Sequence, residues 1–246
     1  MILQDFEKRN IHLKTKNLIL LHGLFGNLSN WSAVKKYFGE SYNIYSPEIP
    51  QQINSQKLNY LEAAVELLND FLIKNHLNKV ILVGNSLGGH IALMFCLKYP
   101  EKVEKLVLTG SSGLYENSFN GSFPKIKDYA YIKERVAYTF HNKNVVTKSL
   151  VDDVFNKIQN VSAALAIIKI ARTAQRTNLA KVLHLITAPT LLIWGLQDNI
   201  TPISIAYEFY ERLPNARLHI LNHCGHVPMM EQPVLFNEFL QDFLNT

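Results

Sequence analysis

Gly84-Asn85-Ser86-Leu87-Gly88-Gly89 follows a short apolar run, Val80-Ile81-Leu82-Val83, and opens a second apolar stretch that ends at Pro100. The reading of these six residues decides the fold. An aliphatic run with no polar alternation suits a strand covered on both faces. Residues 87–99 form a helix that Pro100 stops. Ser86 therefore lies on a sharp strand-to-helix turn. Such a turn crowds the neighbouring backbone, so glycine is needed on both flanks, and the serine hydroxyl projects above the sheet. The helix that follows points its amino end, with N–H groups unused by the helix and a partial positive charge, toward negative charge developing there. G-x-S-x-G arises by accident about 0.1 times in a chain of this length and average composition. Its setting between strand and helix strengthens it.

The same alternation extends outward. Leu18-Ile19-Leu20-Leu21 leads into His22-Gly23, Tyr42-Asn43-Ile44-Tyr45 ends at Pro47, and Leu106-Val107-Leu108 ends at Gly110. Thr190-Leu191-Leu192-Ile193-Trp194 and Leu218-His219-Ile220-Leu221 come later. Between them lie helical patterns. Residues 60–76 repeat Leu61, Val65, Leu68 and Leu72, and residues 231–244 set Leu235, Phe239 and Phe243 on one face. Strands alternating with helices predict an α/β fold with a mainly parallel sheet flanked by helices. Residues 113–185 break the rhythm, with no clear strand. Val151, Val154, Phe155, Ile158 and Val161 have helical spacing, and 163–171 reads as a compact apolar helix. The expected organisation is a core of 1–112 and 186–246 with a helical cap, 113–185, inserted between two strands.

Composition narrows the function classes. Of 246 residues, 48% are hydrophobic, enough for one sizeable core. The first nine residues are charged almost at once, so a secretion leader is not expected, and no run approaches the roughly 18 apolar residues that span a bilayer. Two cysteines cannot form a disulfide framework. A cytoplasmic protein with no membrane partner is the expectation. Residues 113–189 hold eleven Lys/Arg against five Asp/Glu, so this segment carries the whole net charge of +5. Nucleic-acid motifs are missing, so a solvated face or steering of anionic substrates accounts for it.

The remaining chemistry sits at strand ends. His22-Gly23-Leu24-Phe25-Gly26 follows the first strand. Acyl transfer needs two N–H donors for the tetrahedral oxyanion, and losing one costs about 3 kcal/mol. The natural donors are the amides of Leu24 and Leu87, with His22 a structural brace of the loop. Asp198 follows the strand ending at Trp194, and His226 follows the last strand in Asn222-His223-Cys224-Gly225-His226. A serine hydroxyl is a poor nucleophile until a base takes its proton, and that base needs a carboxylate to fix its tautomer. The chain order Ser86, Asp198, His226 suits this arrangement. His223 is a rival base that follows its strand too closely, His90 packs within its helix, and 109–113 holds no carboxylate to compete with Asp198. No set of side chains has zinc spacing, and neither metal nor cofactor is expected.

HGLFG at 22–26, GNSLGG at 84–89, WGLQDNITP at 194–202 and HCGHVPMMEQP at 223–233 together resemble the capped α/β-hydrolases over essentially the whole chain. The resemblance implies that fold and a serine enzyme. The family's carboxylesterases, thioesterases, carbon–carbon hydrolases, lyases and perhydrolases remain open, whereas dehalogenases and epoxide hydrolases normally carry Asp where this chain has Ser86. Two features depart from the family. Ser46-Pro47-Glu48-Ile49-Pro50-Gln51-Gln52 stands where many relatives have an Arg-Gly-His-Gly loop, and the stretch before Leu18 has room for one edge strand rather than two.

The expected reaction is hydrolysis of small acyl esters through an acyl-Ser86 intermediate, by a monomer or homodimer acting on a small-molecule ester or related acyl substrate. Phe25, Tyr129 and Tyr138, with Tyr131 and Phe140, are candidate pocket residues. Arg172 and Arg176, four apart on one helix face, could hold a carboxylate if the enzyme is instead a carbon–carbon hydrolase, lyase or thioesterase with an anionic substrate. A ligand receptor that keeps the fold without turnover is the non-enzymatic alternative.

Overall fold

The computed structural model describes residues 16–26, 28–50, 58–116 and 125–246. Six strands, β1 (Asn17–Leu21), β2 (Asn43–Tyr45), β3 (Val80–Asn85), β4 (Val103–Thr109), β5 (Thr190–Gly195) and β6 (Ala216–Leu221), form one sheet in the order β2-β1-β3-β4-β5-β6. Every pairing is parallel. The chain leaves β1 toward one edge and returns at β3 to build the other half. Ligands gather at such a reversal, outside the carboxyl ends of the strands. The register keeps those ends level, with Leu21 opposite Gly84 and Asn85 opposite Thr109.

Side chains alternate between the two faces of a strand, and here each face has its own core. Ile19, Leu82, Leu106 and Leu192 pack on one side with α2 (Tyr60–Lys74), α3 (Leu87–Lys98) and α7 (Ile203–Arg212). Leu18, Ile81, Val107 and Leu191 pack on the other with α1 (Ser32–Phe38) and α9 (Pro233–Asn245). The central strands are buried from both sides, as their unbroken apolar runs predict. The edges differ: no residue of β2 and only Leu221 of β6 is fully buried. Among the described residues each edge strand has one neighbour, and in β6 His219 stacks on Phe239 at 4.1 Å between centroids. The question of a strand before Leu18 falls on 1–15, outside the described residues.

The closing helix departs from the expected phase. A short turn, α8 (Pro228–Glu231), precedes α9, whose buried residues include Phe236, Leu240, Phe243 and Leu244, while Leu235 is exposed. Both stripes have helical spacing, so periodicity alone could not choose between them. Pro233, which opens α9, sets where the helix begins.

Between β4 and β5 lie α4 (Tyr129–Tyr138), α5 (Lys148–Gln159) and α6 (Val161–Arg176), the helical cap. The side chains of Asp128, Thr147 and Asn160 cap their amino ends, each accepting a backbone N–H. Val151 to Val161 is thus not one helix. Asn160 divides it, and Val161 is exposed at the start of α6. Among the described residues, no helix is long and apolar enough to cross a membrane.

Candidate active site

Ser86 joins β3 to α3 with φ 53° and ψ −119°. A non-glycine residue held at positive φ costs roughly 1–3 kcal/mol and persists only where its surroundings enforce it. The enforcement is visible. Its N–H donates to Thr109 O at 3.2 Å, and its carbonyl accepts the N–H groups of His90 and Ser112, each at 3.1 Å. A β-carbon on Gly88 would run into the Leu21 carbonyl, so the first turn of α3 seats against β1 only with glycine there. The loop after β1 is tied by Gly26 N–H to Gly23 O at 3.0 Å. His22 Nδ1–H donates to Gly23 O at 2.8 Å, the bracing role read from the sequence, and burial lowers its pKa.

Asp198 is buried just past β5, and four donors converge on its carboxylate. Oδ1 accepts the N–H groups of Ile200 at 2.8 Å and Thr201 at 3.0 Å. Oδ2 accepts the Thr201 hydroxyl at 2.8 Å and His226 Nδ1–H at 2.9 Å. With Nδ1 carrying a proton, Nε2 is the basic nitrogen of the neutral ring. His226 is fastened at every other point as well. Its N–H donates to Thr139 O at 2.9 Å, and its carbonyl accepts Asn85 Nδ2–H at 3.1 Å. Burial disfavours the imidazolium, but the charge and hydrogen bond of Asp198, helped by Glu116 and Glu231, outweigh it and raise the pKa above the ordinary 6.5.

Ser86, His226, Leu24, Leu87 and Phe25 all line one cavity of about 140 Å³, and Asp198 stands behind His226. The cap supplies an apolar wall that includes Ile132, Val136, Phe140, Val154 and Ile158. Of the residues proposed from sequence as pocket contacts, Phe25 and Phe140 reach it. Tyr129, Tyr131, Tyr138 and Arg172 lie outside its lining, a correction that helix phase explains. On α4 the cavity side carries Ile132, Arg135 and Val136. Tyr138, two residues past Val136, turns to solvent, with the Arg135 guanidinium over its ring at 5.4 Å. The Tyr129 hydroxyl donates to Asp152 at 2.7 Å, and its ring meets Phe155 edge-on. On α6, Ala171 and Ala174 face the cavity, while Arg172 and Arg176 are exposed. His223 is exposed at φ 54° beside His141 and outside the lining. His90 is buried in α3, its pKa pushed down to about 4 by burial.

Other contributors have no recognisable motif. Glu116 lines the cavity three residues beyond the segment read as lacking a carboxylate. It accepts the Ser112 hydroxyl at 2.6 Å, and burial raises its pKa. Arg135 lines the cavity too. Thr201, three residues after Asp198, was legible in principle, since a hydroxyl at that spacing can turn back onto a carboxylate. The loop after β2 bounds a second cavity, of about 630 Å³, through Pro47, Glu48 and Pro50, and that cavity shares Leu24 and Leu87 with the first. Gln51 and Gln52 lie outside the described residues.

Comparison with known proteins agrees with this architecture. An alpha/beta hydrolase enzyme from a sediment metagenome of the Mar Chica lagoon, Morocco, is 34% identical, covers 94% of this chain and 90% of its own, and superposes with a TM-score of 0.75. The 2-hydroxy-6-oxononadienedioate/2-hydroxy-6-oxononatrienedioate hydrolase of Cupriavidus pinatubonensis is 28% identical over 93% of this chain and 86% of its own. The meta-cleavage product hydrolase of Pseudomonas fluorescens IP01 shares the fold at 20% identity, with a TM-score of 0.83 over 94% of this chain and 91% of its own. Residues 16–233 match the family model described as the alpha/beta hydrolase fold, and the chain belongs to that family.

Proposed function

We propose that this chain is a serine hydrolase that cleaves small carboxylic esters through an acyl-enzyme. One observation carries the reading: Ser86 and a His226 anchored by Asp198 open into the same small, mainly apolar cavity. In this mechanism His226 takes the Ser86 proton as Oγ attacks the ester carbonyl, and the oxyanion lies between the amides of Leu24 and Leu87. The tetrahedral intermediate collapses, the carbon–oxygen bond breaks, and His226 passes its proton to the departing alcohol. Water then attacks the acyl carbon and gives its proton to His226. Collapse returns that proton to Ser86 and frees the acid.

Hydrolysis of a carbon–carbon bond is the second reading, favoured by the similarity to dioate hydrolases. Charge argues against a dianionic substrate here. The described lining of the cavity includes one arginine, Arg135, and one carboxylate, Glu116, and the exposed Arg172 and Arg176 add nothing to it. The volume, about 140 Å³, is close to that of an engineered cavity of about 150 Å³ that holds benzene, which suits a short acyl group.

A panel of p-nitrophenyl esters from acetate to octanoate, run beside a vinylogous diketone acid and an acyl-CoA, tests the assignment. Turnover of short esters, lost by at least about 10⁴-fold in folded Ser86→Ala, is the expected result. Full activity in that variant would sink it, and preferential cleavage of the diketone acid would favour the second reading. A fluorophosphonate that labels Ser86 in a protein showing no turnover would instead indicate a receptor.

A further inference from the structure

Glu231, the last residue of α8, accepts backbone N–H groups from two distant parts of the chain. Oε1 takes Gly225 N–H at 2.9 Å, next to His226. Oε2 takes the N–H groups of His141 and Asn142, both at 2.9 Å, where the cap chain leaves α4. Two more bonds tie that cap segment to the rim of the sheet. His226 N–H donates to Thr139 O at 2.9 Å, and the Asn199 side-chain amide, beside Asp198, reaches Tyr138 O at 3.5 Å. In the middle of the stitched segment is Phe140, buried and part of the cavity wall. The two backbones touch so closely that a β-carbon on Gly225 would lie 2.7 Å from His141 N and 2.9 Å from Thr139 O.

We propose that Glu231 is a positioning residue that makes the placement of His226 depend on a seated cap, so that an acyl group pressing on Phe140 is registered at the base. The proposal rests on the serine-hydrolase reading. Its physical basis is the acceptor-only character of a carboxylate, which serves both backbones at once through charge-assisted bonds. An amide of the same shape offers one oxygen and turns an NH₂ toward whichever donors remain. It serves one backbone and repels the other. The carboxylate also acts on the proton of His226. The charged groups facing that ring are Asp198 after β5, Glu116 after β4 and Glu231 on α8, and each favours the imidazolium. Removing the Glu231 charge therefore lowers the proton affinity of His226 and moves the acid limb of activity to lower pH.

The test compares Glu231→Gln and Glu231→Asp with the wild type, using p-nitrophenyl butyrate and single-turnover labelling of Ser86 by a fluorophosphonate. For Glu231→Gln, kcat falls about 10- to 100-fold, the scale expected when a base is displaced by about 1 Å. KM changes less than about threefold by the same logic, Ser86 labelling slows in proportion to kcat, and the acid limb of kcat/KM moves to lower pH. Glu231→Asp keeps the charge but is one methylene too short to serve both sides, so kcat falls while the acid limb stays near the wild-type position. If either variant retains wild-type kcat per labelled site, with only its thermal midpoint lowered, Glu231 is merely structural and the proposal is overturned. An unmoved acid limb in Glu231→Gln overturns it equally, and if that variant does not fold, the rate of Glu231→Asp decides. Failure of the wild type to label at Ser86 defeats the underlying serine-hydrolase reading instead, and so is distinguishable.

Discussion

The rim of the sheet and the cap enclose the same cavity, but they are specified in different ways. At the rim, each candidate catalytic residue stands one to five residues past a strand and is held by hydrogen bonds to groups at the strand ends or in the loops just beyond them. Ser86 is tied to Thr109 and Ser112, Asp198 to Ile200 and Thr201, and His226 to Asn85 and Asp198. In the cap, the cavity wall is whatever face three amphipathic helices turn inward, with contact residues scattered from Ile132 to Ala174. A rim change alters protonation and geometry at a few atoms, whereas a cap change alters volume. On the proposed function, reaction type and substrate range are written in separate parts of this chain.

Three substitutions sharpen or break that contrast. Asp198→Asn leaves the carboxylate site filled but favours the wrong imidazole tautomer, and kcat is expected to fall about 10⁴-fold. Steady-state kinetics on a short ester measures it, and a loss below tenfold would mean the rim is less tightly specified than its bonds indicate. Val136→Phe adds bulk to the cavity wall on α4. Here kcat/KM for hexanoate esters is expected to drop about tenfold while acetate esters are spared, since overpacking costs about 1–3 kcal/mol where the space is needed. Equal loss on both esters would place the acyl group elsewhere. Arg172→Ala has the smallest effect. The side chain is exposed and outside the lining, so activity on neutral and anionic esters alike should stay within about twofold. A selective loss on anionic esters would return Arg172 to the site.

Much of the rim was legible before any coordinates. The turn at Ser86 is encoded locally, because glycine at 84 and 88 and a strand run beforehand admit few other conformations. The order of strands and helices followed from unbroken aliphatic runs and from Pro100. Glu116 was not legible, since nothing in its neighbours marks a carboxylate bound to the Ser112 hydroxyl and lining the same cavity as His226. Glu231 stood inside a quoted motif, yet its partners are about 90 residues away at His141 and Asn142. The phase of α9 was missed because two apolar stripes of equal spacing cannot be ranked without knowing what they pack against, and the break at Asn160 because one apolar spacing runs on through the residue that caps α6.

The sequence by itself determined the alternation of strands and helices, the serine turn and the placing of Ser86, Asp198 and His226 just past three strands, all of which arise from short-range sterics and aliphatic patterning. Only the tertiary structure decided which cap residues wall the cavity, which carboxylates act on the His226 imidazole, and how the cap is tied to the loop that carries His226. Those depend on helix rotation and on contacts between residues far apart in the chain, where the free energy of packing, rather than the preference of any local segment, selects the partner.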